Sequence, residues 1–234
     1  MTGRLYLIPS TIGDVPPGEV IPHYISSIIN RIRHYIVENE RTSRRMLLTL
    51  GLQTPVDDLV FLVLDKHTSR SELPDFLKFA SEHDIGLLSE AGVPAIADPG
   101  SDVVLMAHER NIEVIPLVGP SSILMAMMAS GLNGQNFAFN GYLPVKSYNR
   151  MKKLKQLEQR SSAEDQSQIF IETPYRNNQL ITDILSTCSG NTLLCIATNI
   201  TTPKANIQTH TISEWRKKTI HINKQPTIYI LHKK

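Results

Sequence analysis

Three short segments combine the residue types that let a ligand lie against a backbone. They are PSTIGD at 9–14, SEAGVPAIADPG at 89–100 and LVGPSS at 117–122. Each follows an apolar run of strand length. In an open α/β sheet, ligands collect outside the carboxyl ends of the strands, and small residues there permit close approach to the chain. The longest segment contains Gly92, Pro94, Ala95, Ala97, Pro99 and Gly100. One such segment is ordinarily a tight surface loop; three on one edge read as a ligand cleft. In LVGPSS, Gly119 frees the backbone and Ser121 or Ser122 can cap the next helix. Amides at that helix start would favour a carboxylate. Glu90 and Asp98 resemble a carboxylate pair, but no metal-type ligands accompany them. They read as loop hydrogen-bonders or substrate contacts, and no metal site is expected.

Other familiar chemistries lack their signatures. No GxGxxG follows a strand, and neither GxxxxGK[ST] nor GxSxG occurs. The eight histidines show no HExxH spacing, and each reads as a surface residue. Cys188 and Cys195 flank a strand-like stretch without a CxxC pair, which suggests two semi-buried thiols in a reducing cytoplasm. No apolar run is long enough to span a bilayer, so no membrane association is expected. The apolar start of the chain is broken by Pro9 and reads as a strand rather than a signal peptide. A net charge of +2 permits an RNA partner without arguing for one.

These segments need elements to position them. Strand-like runs at 5–9, 34–38, 59–64, 85–89 and 112–116 alternate with helix-like stretches at 19–30, 42–50, 71–83 and 100–110. The unbroken apolar run at 59–64 has the character of a buried parallel strand. Ile123–Ala129 reads as a Met-rich helix closed by Gly131. Beyond it, 136–144 reads as strand and turn, 147–160 as a basic amphipathic helix, and 161–168 as a polar loop. Strands follow at 168–172, 192–198 and 227–233, with helices at 177–186 and over SEWRKK. The alternation pauses at Pro116, Gly119 and Pro120. The expected architecture is therefore α/β, with one lobe over 1–117 and another over 118–234.

The stretch 85–146 closely resembles the tetrapyrrole methylase superfamily, and within it the branch of ribosomal RNA small-subunit methyltransferases I. The branch carries SDAGTP-x-x-SDPG, then PLPGP before a small-residue helix, then GFLPxK. Here the same order reads SEAGVPAIADPG, PLVGPSS and GYLPVK. LYLIPSTIGD, ENERTS and IETPYR are similar to its L-Y-x-V-x-T-P-I-G-N, E-D-T-R-x-T and Y-E-S-P-H-R, more loosely. The resemblance implies a two-lobed tetrapyrrole methylase-like fold with S-adenosylmethionine held in the interlobe cleft, a homodimer, and a cytoplasmic enzyme acting on ribosomal RNA or the small subunit. Donor contacts would fall on Pro9, Ser10, Thr11, Ile12 and Gly13; on Glu90, Ala91, Gly92, Asp98, Pro99 and Gly100; on Gly119, Pro120, Ser121 and Ser122; and on Pro226 and Thr227.

The implied reaction is methylation of a ribose 2′-oxygen. The catalytic base is left unassigned; Glu40, Arg41 and the Glu172–Arg176 stretch are cleft residues by resemblance, and each could equally be a structural ion pair or a surface charge. Lys146, Arg150, Lys152, Lys153 and Lys155 could line up against phosphates, although such runs are usually solvated helix faces. The chain departs from the branch at 198–204, where TNITTPK replaces R-E-L-T-K, and before the last strand, where KQP replaces K-G-E. Two alternatives follow: carbon methylation of a porphyrinoid, or a non-catalytic paralogue that binds donor or RNA.

Overall fold

A computed structural model describes residues 3–64, 68–69 and 71–234. The chain divides into two compact units, Met1–Ser121 and Ser122–Lys234. The first runs through β1 (Leu5–Ile8), α1 (Pro17–Val20), α2 (Tyr24–Ile29), β2 (His34–Val37), α3 (Glu40–Thr49), β3 (Val60–Val63), α4 (Leu73–Phe76), β4 (Ile85–Leu88), α5 (Ser101–Glu109) and β5 (Val114–Pro116). Its strands form a sheet ordered β3-β2-β4-β1-β5, in which every pairing is parallel. Alternate side chains fill opposite faces, as the pleat requires. Tyr6, Ile8, Tyr35, Val37 and Leu88 pack into one apolar cluster; Leu5, Ile36, Ile85 and Leu87 pack into another.

Three expectations for this unit change. The helix anticipated over 19–30 is two short ones. Pro22 restricts Ile21 to an extended conformation (φ −119°, ψ 127°), and the helix cannot pass through it. The stretch 71–83 likewise splits into α4 and a 3₁₀ turn over Lys78–Ser81. The run at 59–64 supplies an edge strand rather than a buried one, with Val60 and Val63 exposed.

The second unit contains α6 (Ser122–Ser130), β6 (Phe137–Tyr142), α7 (Ser147–Glu164), β7 (Ser167–Ile171), α8 (Asn177–Thr187), β8 (Leu193–Thr198), β9 (Asn206–Thr211), α9 (Ile212–Trp215) and β10 (Thr227–His232). Its sheet is ordered β6-β7-β10-β8-β9; β6 and β7 pair in parallel, and the remaining pairs are antiparallel. On fully buried β10, Ile228 and Ile230 pack with α6, while Tyr229 and Leu231 pack with α7, α8 and α9. β9 has no counterpart in the sequence reading. It is an edge strand of mixed polarity, NIQTHT, with no fully buried side chain.

Several sequence expectations are corrected here. The loop expected at 161–168 is helix over its first half and enters β7 at Ser167. α7 continues to Glu164 because Ser161 is buried and accepts the Lys233 amide, while Arg160 pairs with Glu164 one turn on. Arg150 is fully buried and cannot join a phosphate-facing stripe. Its guanidinium bonds Asp183 and the carbonyls of Pro144 and Val145. His232 is buried rather than superficial. Both thiols are fully buried, with Cys195 inside β8; burial pushes Cys188 up to about 12 and raises Cys195 as well.

Candidate functional site

The three small-residue segments all leave the carboxyl ends of neighbouring strands β1, β4 and β5. Backbone bonds fasten the first two. The Ser10 amide donates to Gly92 O at 2.8 Å, and the Gly92 amide returns to Ser10 O at 3.1 Å. Ser10 is buried, and its hydroxyl donates to Ser89 O at 2.6 Å. Ser89 in turn donates to Gly92 O at 3.3 Å.

The third segment packs onto the other two. A β-carbon at Gly119 would lie 2.1 Å from Pro9 Cβ, and one at Gly92 would lie 3.3 Å from Pro120 O and 3.7 Å from Ile12. Gly119 is thus required by its packing against Pro9. It is absent from the positive-φ glycines, so backbone freedom is not its reason. Gly92 needs both the space and its left-handed φ of 73°. Ala95 and Ala97 also adopt positive φ, at 64° and 66°, and Gly100 lies at 128° before α5. This concentration of conformations costly to L-residues gives a tight, backbone-lined loop. Thr11, Ile12 and Pro99 are part-exposed on these turns, Gly13 and Ala91 exposed, and Val118 two-thirds exposed.

Three carboxylates share this edge. Glu38 follows β2 and accepts the Glu90 amide at 3.3 Å; Glu90 accepts the Thr42 hydroxyl. Burial first, then repulsion from Asp98 and Glu90, holds Glu38 above the ordinary carboxylate range. Burial and Glu90 raise Asp98 likewise. Glu38 is not among the residues the sequence points to, although it opens ENERTS. Its signal is an acid one residue beyond a strand. Among the described residues no cluster of three or more His, Cys, Asp or Glu side chains is arranged to hold a metal ion.

Glu40 pairs with Arg44 at 2.6 Å, and Arg41 is exposed on α3.

In the second unit, Thr227 begins β10 and Pro226 immediately precedes it. The Asn199 amide donates to Pro226 O, and the Asn199 side chain to Gln225. Asn177, which no sequence motif marks, is fully buried and organises the segment. Its Nδ2 donates to Ile222 O, Gln225 O and Thr227 Oγ1, and its Oδ1 accepts from Tyr229. Glu172 is buried, with Oε1 taken by the Thr173 amide and by Nε and Nη2 of Arg176. Arg176 therefore has no free bidentate edge of those two nitrogens for a phosphate. Ser121 precedes α6 and Ser122 begins it.

No family model matches the chain. It is 30% identical over 199 residues to ribosomal RNA small subunit methyltransferase I of Synechocystis, covering 85% of this chain and 67% of that protein. It is 27% identical over 232 residues to the protein of the same name from Vibrio cholerae, covering 97% and 76%. Among solved structures, the methyltransferase CobJ has a TM-score of 0.63 at 16% identity, covering 99% of this chain and 94% of that one. Uroporphyrin-III C-methyl transferase from Thermus thermophilus, complexed with S-adenosyl homocysteine, has a TM-score of 0.56 at 15% identity, covering 99% and 98%. At these identities the structures establish the tetrapyrrole methylase fold.

Proposed function

The chain belongs to the ribosomal RNA small subunit methyltransferase I family, and from that membership we propose that it methylates a ribose 2′-oxygen of ribosomal RNA. It is an S-adenosylmethionine-dependent methyltransferase. The observation that supports a donor site is the set of turns after β1, β4 and β5, the first two hydrogen-bonded through Ser10 and Gly92 and the third packed on Pro9 at Gly119.

Those residues fit the donor. S-adenosylmethionine carries its transferable methyl on a cationic sulfonium, and the edge presents Glu38, Glu90 and Asp98 beside a loop rich in glycine, alanine and proline. The raised carboxylates would be relieved by a neighbouring cation. The turns then hold the donor in one orientation, and alignment with the acceptor oxygen is the chain's main contribution to the rate. Ser10 acts through its bonds to Ser89 and Gly92, keeping two turns in register. Asn177 does the same for Pro226 and Thr227.

The acceptor reading draws on the relatives, whose name specifies small-subunit ribosomal RNA. The working place is then the cytoplasm and the working form a homodimer. The test is transfer of labelled methyl from S-adenosylmethionine to small ribosomal subunits from a strain lacking this protein, followed by nucleoside mass spectrometry. A new 2′-O-methyl nucleoside supports the reading. No transfer to the subunits, with label passing instead to an added porphyrinoid, would replace it with carbon methylation, and donor binding without transfer to either would make the chain a non-catalytic paralogue.

A further inference from the structure

In the second unit, a cavity of about 150 Å³ opens between the β8–β9 edge and the segment after α9. The register sets its wall: Ile196 pairs with Gln208 and Thr198 with Asn206. Trp215 forms the floor, buried and fixed by an Nε1 bond to Leu194 O. Lys218 and His221 stand at the rim. The Lys218 amine lies 5.6 Å from the Trp215 ring centroid and donates to His210 Nε2 at 2.8 Å. Gln208 Nε2 donates to Asn206 Oδ1 at 3.1 Å, leaving Gln208 Oε1 as an acceptor and Asn206 Nδ2 as a donor.

Among the described residues no carboxylate lines the cavity. The acid on neighbouring α9, Glu214, is engaged by the Thr211 amide and hydroxyl in a capping box. The segment 216–224, RKKTIHINK, carries four Lys or Arg residues and no acid. An apolar floor, a paired amide donor and acceptor, and a cationic rim suit a flat heterocycle with hydrogen-bonding edges joined to a phosphate. The cavity also adjoins 198–204, where the chain departs from its branch and where Thr201 holds a positive φ of 75°, rare for a β-branched residue.

We propose that this cavity binds one nucleotide of single-stranded RNA outside the target residue, with the base against Asn206 and Gln208 and its phosphate on Lys218. The inference rests on RNA being the acceptor. It makes the β8–β9 edge a determinant of which RNA is chosen.

Trp215 is the single tryptophan of the chain, so its emission reports this cavity independently of turnover. Titration of the full chain with a short single-stranded oligoribonucleotide should give a saturable change in emission. Gln208→Ala and Lys218→Gln, both at exposed positions, should each weaken it about tenfold. The same substitutions should raise KM for ribosomal RNA by a similar factor without weakening S-adenosylmethionine binding. Inorganic phosphate alone should leave the emission unchanged. No saturable change, affinities unaltered by both substitutions, or inorganic phosphate alone reproducing the emission change would each overturn the assignment. Methyl transfer by the unaltered chain decides the RNA reading separately: transfer with an unresponsive Trp215 leaves that reading standing and removes only the cavity.

Discussion

At the scale of single residues, the turns after β1, β4 and β5 depend on close packing at Gly92 and Gly119. Gly119→Val would drive a side chain into Pro9, where even a β-carbon falls at 2.1 Å. Overpacking of this kind costs about 1–3 kcal/mol. S-adenosylmethionine binding by calorimetry should be lost in folded protein; unchanged affinity would remove this turn from the site. The carboxylates make a prediction of opposite signs. Glu38 and Asp98 are raised in the folded chain, so their contribution to stability is full below the ordinary carboxylate range and falls as pH rises through the folded values. Asp98→Asn should therefore raise the thermal midpoint at neutral pH, with the gain vanishing in acid, while weakening the cationic donor about tenfold. A midpoint gain that is independent of pH would show that Asp98 is not held in this way. Such a trade of stability for affinity is expected where a site concentrates like charge.

At the scale of elements, Arg150 converts a surface helix into a fixed one. It joins α7 to α8 through Asp183 and to the turn after β6 through Pro144 O and Val145 O. Ser147 adds a second bond to the same carboxylate at 2.9 Å. Arg150→Ala would leave Asp183 buried without its cation, a change that costs about 3–5 kcal/mol. Urea unfolding should show this as a lower midpoint with an unaltered slope. Arg150→Met with Asp183→Leu should recover much of the loss, because an apolar pair needs no partner. A small loss from the single substitution would mean that water reaches the pair.

At the scale of the whole molecule, a net charge of +2 conceals local surpluses. With Arg150 buried, α7 and the turn before it still present Lys146, Lys152 and Lys155 exposed and Lys153 part-exposed. If Lys152, Lys153 and Lys155 meet phosphates, replacing all three with Gln should weaken RNA binding alike for every sequence. On a single strand, the log–log salt dependence should flatten by about 0.7 for each phosphate no longer neutralised. Filter binding across a salt series measures this, and an unchanged slope returns the stripe to an ordinary solvated face.

The sequence by itself determined the strand-and-helix alternation, the three turns and their residue types. Each is a local matter: glycine and proline restrict their own φ and ψ, and periodicity reports which side of an element is apolar. It also carried the family, because the motifs at 85–146 are contiguous. Tertiary structure alone decided what depends on distant partners. The run at 59–64 became an edge because strand order is set by crossovers. Ser161, Arg150 and Asn177 became interior residues because Lys233, Asp183 and Thr227 lie 72, 33 and 50 positions away in the chain. The reason for Gly119 was hidden likewise. Sequence suggests backbone freedom, but the constraint is Pro9, brought against it by the parallel pairing of β1 and β5.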